Sequence, residues 1–101
     1  MNHPIESYLQ AAEEGFISAQ YLVGLAHLEG SGMEKNARSA YYWLRIAEEN
    51  SHELRQRTRA LTKELKSKIR AEELETLERN VKAAVEHNQL GATKRIGQRA
   101  R

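Results

Sequence analysis

The most restrictive feature of the sequence is that no glycine or proline occurs between Gly32 and Gly91. Alanine, leucine, glutamate, lysine and arginine dominate this stretch, and apolar residues do not alternate with polar ones over the length of a strand. These residues have high helix propensity, and the residues that most strongly interrupt helices are missing. The chain is therefore predicted to be all-α.

Glycines and capping residues predict where the first helices end. Gly15 should end the first, and the loop containing Gly30 and Gly32 should separate the second from the third, since glycine adopts positive φ without a Cβ clash. Asn36 is a suitable N-cap for the third helix. Three helices are predicted, over residues 4–14, 17–29 and 36–50.

Small residues recur where the second and third helices would cross, and the only tryptophan follows them. Short side chains at a crossing let two backbones approach closely. Trp43 would fill the space beside the crossing, and we interpret it as a core residue rather than a ligand-stacking one. The small residues are Ala19, Gly24, Ala40 and Ala47.

The spacing of these residues resembles the repeat pattern of the Sel1-like repeat family, a branch of the tetratricopeptide-like α/α solenoids. The resemblance implies a helical scaffold for protein recognition without catalytic residues. It also places His27 where the family has tyrosine, which indicates a packing role. The matching positions are Ala19, Val23, Gly24, His27, Gly30, Gly32, Met33, Asn36, Ala40, Trp43 and Ala47.

Beyond residue 50 the pattern fades, and the phase of the apolar residues indicates a break. Leu54, Thr58, Leu61 and Leu65 share one helix face, whereas Leu74, Leu77, Val81 and Val85 share another about 160° away at 100° per residue. A turn near residues 67–71 that folds two antiparallel helices together would bury both faces. The alternative is one continuous helix whose second face pairs with another chain.

We therefore predict a short α/α solenoid of about five helices in a single domain over residues 1–89. Its parts are a partial repeat helix (1–15), a complete repeat (16–50), a capping hairpin (51–89) and a basic flexible tail (90–101). The first helix has no preceding repeat to cover it, which suggests self-association at that end.

Charge is divided unevenly along the chain. Residues 1–50 hold three basic and seven acidic side chains, a net charge of −4, whereas residues 51–101 hold thirteen and seven, a net charge of +6. Five basic residues fall on one predicted helix face: Arg55, Arg59, Lys63, Lys66 and Arg70. The tail adds Lys94, Arg95, Arg99 and Arg101. This pattern fits an acidic protein surface or nucleic acid, and equally a merely solvated surface.

A second candidate surface is the groove lined by the first helix of the repeat. The solenoid resemblance directs Ser18, Leu22, Leu25 and Glu29 outward from the second helix. Two exposed leucines three residues apart would accept a helix of a partner protein. The alternative is that both leucines pack beneath neighbouring helices.

Composition and spacing argue against other classes of function. There is no cysteine, and the four histidines lack metal-ligand spacing. No nucleophile elbow, phosphate-binding glycine loop or catalytic carboxylate pair is recognisable, so we predict neither enzymatic activity nor a cofactor. With neither a secretory signal nor a membrane-length apolar run, we expect a cytoplasmic protein.

Overall fold

The computed structural model describes the backbone of residues 4–99 and the side chains of residues 5–87. Over these residues the chain forms five α-helices and no β-strand. They are α1 (Pro4–Glu13), α2 (Ile17–Glu29), α3 (Ala37–Asn50), α4 (His52–Ser67) and α5 (Ala71–Arg99). The predicted all-α fold is confirmed, and the first three helices end within one residue of the predicted positions.

The loop between α2 and α3 uses its glycines as the sequence predicts. Gly30 and Gly32 have φ of 75° and 77°, which a side chain would strain. The Asn36 side chain then accepts hydrogen bonds from the backbone N–H groups of Arg38 and Ser39, and so caps α3. The His27 Nδ1 lies 3.0 Å from the carbonyl oxygen of Glu34, so His27 links α2 to the loop that follows it.

Helix α3 lies at the centre of the domain, because it packs against α2, α4 and α5, while α1 packs on α2. Its contact with α2 depends on Gly24, where an added Cβ would lie 2.7 Å from the Cγ of Leu44. Two clusters of buried apolar residues result. One contains Ala40, Tyr41, Leu44 and Leu65, and the other contains Ala12, Ala19 and Val23.

The predicted break between the last two helices is confirmed, and their contact with each other is smaller than the contact that each makes with α3. Helix α4 ends at Ser67 and α5 begins at Ala71, as the change in phase indicated. Within the described part of the chain, however, each packs more extensively on α3 than on the other, although Leu65 of α4 and Leu77 of α5 belong to the same apolar cluster. The two apolar faces are covered by the same central helix, so a close hairpin is unnecessary.

The predicted boundary between the last helix and a tail at residue 90 does not coincide with a helix end. Helix α5 continues to Arg99, because alanine, glutamine, lysine and arginine favour helix, and the two isolated glycines, Gly91 and Gly97, do not stop it. The side chains of Lys94, Arg95 and Arg99 lie outside the described side chains, and Arg101 lies outside the described residues. In the described part of the chain, no helix is sufficiently long and apolar to cross a membrane.

Candidate partner-binding surfaces

A shallow groove of about 550 Å³ lies between α2 and α4. Ser18, Tyr21 and Leu22 of α2 form one wall, and Leu54 and Arg57 of α4 contribute to the other. The Leu22 side chain is 40% exposed, one of few large apolar residues with such exposure among the described side chains. The groove therefore offers apolar surface with polar groups around it.

The structure brings only two of the four predicted groove residues into this groove. Ser18 and Leu22 line it, whereas Leu25 packs against the core cluster of Leu44 and Leu65. Of the predicted leucine pair, only Leu22 lines the groove, because Leu25 is half-buried beside the core cluster. Glu29 is exposed at the end of α2 and does not line the groove.

The basic face of α4 consists of Arg55, Arg59, Lys63 and Lys66. All four are exposed, and among the described side chains none of them forms an ion pair within 4 Å. Arg70 does not belong to this face, since α4 ends before it and its guanidinium lies 3.7 Å from Glu72. The predicted stripe is thus shortened to four residues.

Acidic groups from other helices lie close to this basic face. Arg59, Lys63 and Lys66 border a depression of about 540 Å³ that Glu48 of α3 and Glu78 of α5 also line. Lys66 contributes to lowering the pKa of Glu78, after the larger effect of a hydrogen bond from Arg45. The face is therefore less strongly basic at one edge than the sequence of α4 alone indicates.

A buried carboxylate joins α3 to α4. Glu48 is 6% exposed, and its Oε2 accepts hydrogen bonds from the hydroxyls of Thr58 and Thr62 at 2.6 and 2.7 Å. Its Oε1 accepts another from Arg45 at 3.2 Å. Sequence reasoning missed this network because glutamate after a helical apolar run is typical of a solvated surface. The spacing of four residues between Thr58 and Thr62, which places two hydroxyls on one helix face, is the sequence feature that could have predicted the network.

A second polar network fixes α5 on α3. Arg45 donates two hydrogen bonds to Glu78, each 3.0 Å long, and Tyr41 donates a third. Burial and the hydrogen bond to Glu78 raise the pKa of Tyr41 to about 12. The same ion pair raises the pKa of Arg45 and lowers that of Glu78. Because these groups satisfy one another, we regard the network as structural. The part of the chain that the structure describes contains no cluster of three or more potential metal ligands.

Stacked helix pairs around a glycine loop, with an exposed groove and a charged outer face, define a helical repeat protein of the α/α solenoid class. Residues 17–52, which comprise α2, α3 and the turn into α4, match the Sel1 repeat family. Sel1 repeats generally mediate protein–protein interaction. No curated protein and no solved structure matches the chain.

Proposed function

We propose that the protein is a non-enzymatic adaptor that binds a partner protein through the groove between α2 and α4. The basic face of α4, together with the basic residues after residue 90, contacts an acidic region of that partner. The observation that carries the proposal is the exposed Leu22 within a concave surface of a Sel1 repeat. Exposed apolar area in a groove is a feature that partner helices use.

The size of the effect follows from the exposure of Leu22. Complete burial of a leucine side chain contributes ~1.5–3 kcal/mol, so covering the exposed 40% contributes about 1 kcal/mol. A glutamate at this position loses that contribution and adds the cost of removing a charge from water. Leu22→Glu is therefore expected to weaken partner binding by at least about tenfold.

The matched control is Tyr8→Glu on α1, because Tyr8 is 43% exposed and lies outside the groove. A photo-crosslinking amino acid placed at position 22 in cells should capture one protein partner that the same amino acid at position 8 does not. Calorimetry with that purified partner should show the tenfold loss for Leu22→Glu and no more than a twofold change for Tyr8→Glu. Equal binding by both variants, with both melting curves unchanged, would exclude the groove.

A second candidate function is nucleic-acid binding through the basic face of α4. The specific observation in its favour is that four exposed basic side chains on one helix have no ion-pair partner among the described residues. Four phosphate contacts predict a slope of log K against log salt of about −3 to −4.

Charge reversal distinguishes this candidate from the adaptor. Arg59→Glu with Lys63→Glu should abolish binding to a mixed-sequence RNA or DNA oligonucleotide. Lys35→Glu with Lys68→Glu makes the same change in net charge away from the basic face, and should reduce binding only slightly. Equal losses for the two double variants would indicate generic charge attraction and exclude a site on α4.

A further inference from the structure

A cleft of about 570 Å³ lies between α3 and α5, and it is separate from the groove and from the basic face of α4. The residues of α3 that line it include Trp43 and Ile46, and those of α5 include Asn80 and Ala84. Residues from the α1–α2 region, among them Glu13 and Gln20, close a third side. The lining therefore combines an aromatic ring, aliphatic surface and hydrogen-bonding groups.

Gln20 is the least expected residue in this lining. Its side chain is 1% exposed, and its Nε2 donates a hydrogen bond to the carbonyl oxygen of Ala12 at 3.2 Å. Its Oε1 has no hydrogen-bond partner among the described residues. A buried acceptor without a donor is costly and rare in folded proteins. Gln20 lines the cleft, so this unpaired acceptor lies just beneath the cleft wall.

The aromatic part of the lining has a fixed orientation. Trp43 is half-buried and meets Tyr42 edge-to-face, with ring centroids 5.1 Å apart and an interplanar angle of 73°. Trp43 also packs against the cluster of Ala12, Ala19 and Val23, which restricts the indole further. Among aromatic side chains, the tryptophan indole attracts a cation most strongly.

We propose that this cleft binds an arginine side chain presented by a partner peptide. A guanidinium is planar and weakly hydrated, so it stacks on the Trp43 indole, and one of its five N–H groups pairs with Gln20 Oε1 once the amide turns toward the cleft. The exposed Glu13 carboxylate supplies the complementary charge at the rim. An aliphatic side chain would leave the Gln20 acceptor unpaired, and a lysine ammonium would lose more hydration on entering.

Nuclear magnetic resonance titration tests the proposal with a defined probe, acetyl-Gly-Arg-Gly-amide. Trp43 is the only tryptophan, so its indole N–H signal is assigned without ambiguity. The peptide should produce saturable shifts of that signal and of the Gln20 side-chain amide. The citrulline analogue, which keeps the shape and removes the charge, should bind at least about tenfold more weakly. Equal binding of citrulline or lysine analogues, or shifts confined to the residues around Leu22, would overturn the proposal.

Variants of the protein provide an independent arm. Glu13→Gln should weaken the arginine peptide about two- to fivefold, whereas Glu14→Gln, which changes the same charge outside the cleft, should leave its affinity unchanged. Gln20→Leu should weaken binding roughly tenfold or more through loss of the acceptor. If Gln20→Leu fails to fold, the comparison of Glu13→Gln with Glu14→Gln is sufficient by itself. Equal affinities of those two variants for the arginine peptide would refute the proposed pairing of Glu13 with the guanidinium.

Discussion

Replacing Gly24 by alanine should destabilise the protein, although alanine is the better helix former. The added Cβ would lie 2.7 Å from both Cγ and Cδ2 of Leu44, and 3.2 Å from the Leu44 backbone nitrogen. Leu44 is fully buried, and its Cγ is too close to the backbone to move away by rotation of the side-chain tip. Relief therefore requires α2 and α3 to separate.

Two opposing contributions set the magnitude of this effect. Overpacking of a dense core costs ~1–3 kcal/mol, and a contact this short at Cγ falls in the upper part of that range. Helix propensity returns ~1 kcal/mol. The free energy of unfolding should therefore decrease by about 1–2 kcal/mol, which lowers the melting temperature of a domain this size by about 5–15 °C.

Circular dichroism melts and urea titrations of three further variants separate the two contributions. Ala60→Gly, at an exposed position of α4, measures the propensity contribution alone and should cost ~1 kcal/mol. Leu44→Ala should cost ~2–5 kcal/mol. Combined with Leu44→Ala, the Gly24→Ala change should become neutral or stabilising, because the clashing atoms are gone. A rise in melting temperature for Gly24→Ala in the wild-type background would refute the close approach of these helices.

Three further predictions concern polar groups. Glu48→Ala should lower the free energy of unfolding by about 1–3 kcal/mol in urea titrations, because the hydroxyls of Thr58 and Thr62 lose their carboxylate acceptor and keep only backbone carbonyls as acceptors. A loss below that of an exposed Glu53→Ala would contradict the buried network. The hydrogen bond with Arg45 lowers the pKa of Glu78. The stability that ionised Glu78 contributes is therefore complete above its ordinary pKa of 4.5, and it is lost as the pH falls through the lower pKa of the folded state. Glu78→Gln should therefore be less stable than wild type at pH 7, with a difference that shrinks below pH 4.5; a pH-independent difference would exclude the ion pair. Asn36→Ala should cost about 1 kcal/mol through loss of the α3 cap, whereas Asn36→Asp should retain most of the stability, and equal losses would argue against capping.

Helix limits were predictable from the sequence because they depend on local signals. Gly15 and Gly30 end their helices through backbone conformation alone, and Asn36 caps α3 with residues two and three positions away. The change of apolar phase also located the break before Ala71. None of these inferences requires knowledge of which helix lies beside which.

Contacts between distant helices were not predictable in this way. Leu25 has the spacing of an exposed groove residue, yet it is half-buried because it packs against the core cluster that contains Leu44. Glu48 and Gln20 read as surface residues by type, and their burial depends on α4 and α1 respectively. The charge around the basic face was not predictable for the same reason, since Glu78, whose pKa Lys66 helps to lower, comes from α5.

The polar contacts between α3 and α5 connect the stability of the fold with the geometry of the cleft. Half-exposed ion pairs contribute little net stability, so burial of Val81 and partial burial of Leu74 and Leu77 must supply most of the attachment. Apolar contacts alone tolerate sliding of one helix along another, whereas Glu78 can meet both Arg45 and Tyr41 in one register only. That register determines which residues of α5 face Trp43. The network around Glu78 therefore acts chiefly as a positioning device, and the shape of the cleft depends on it.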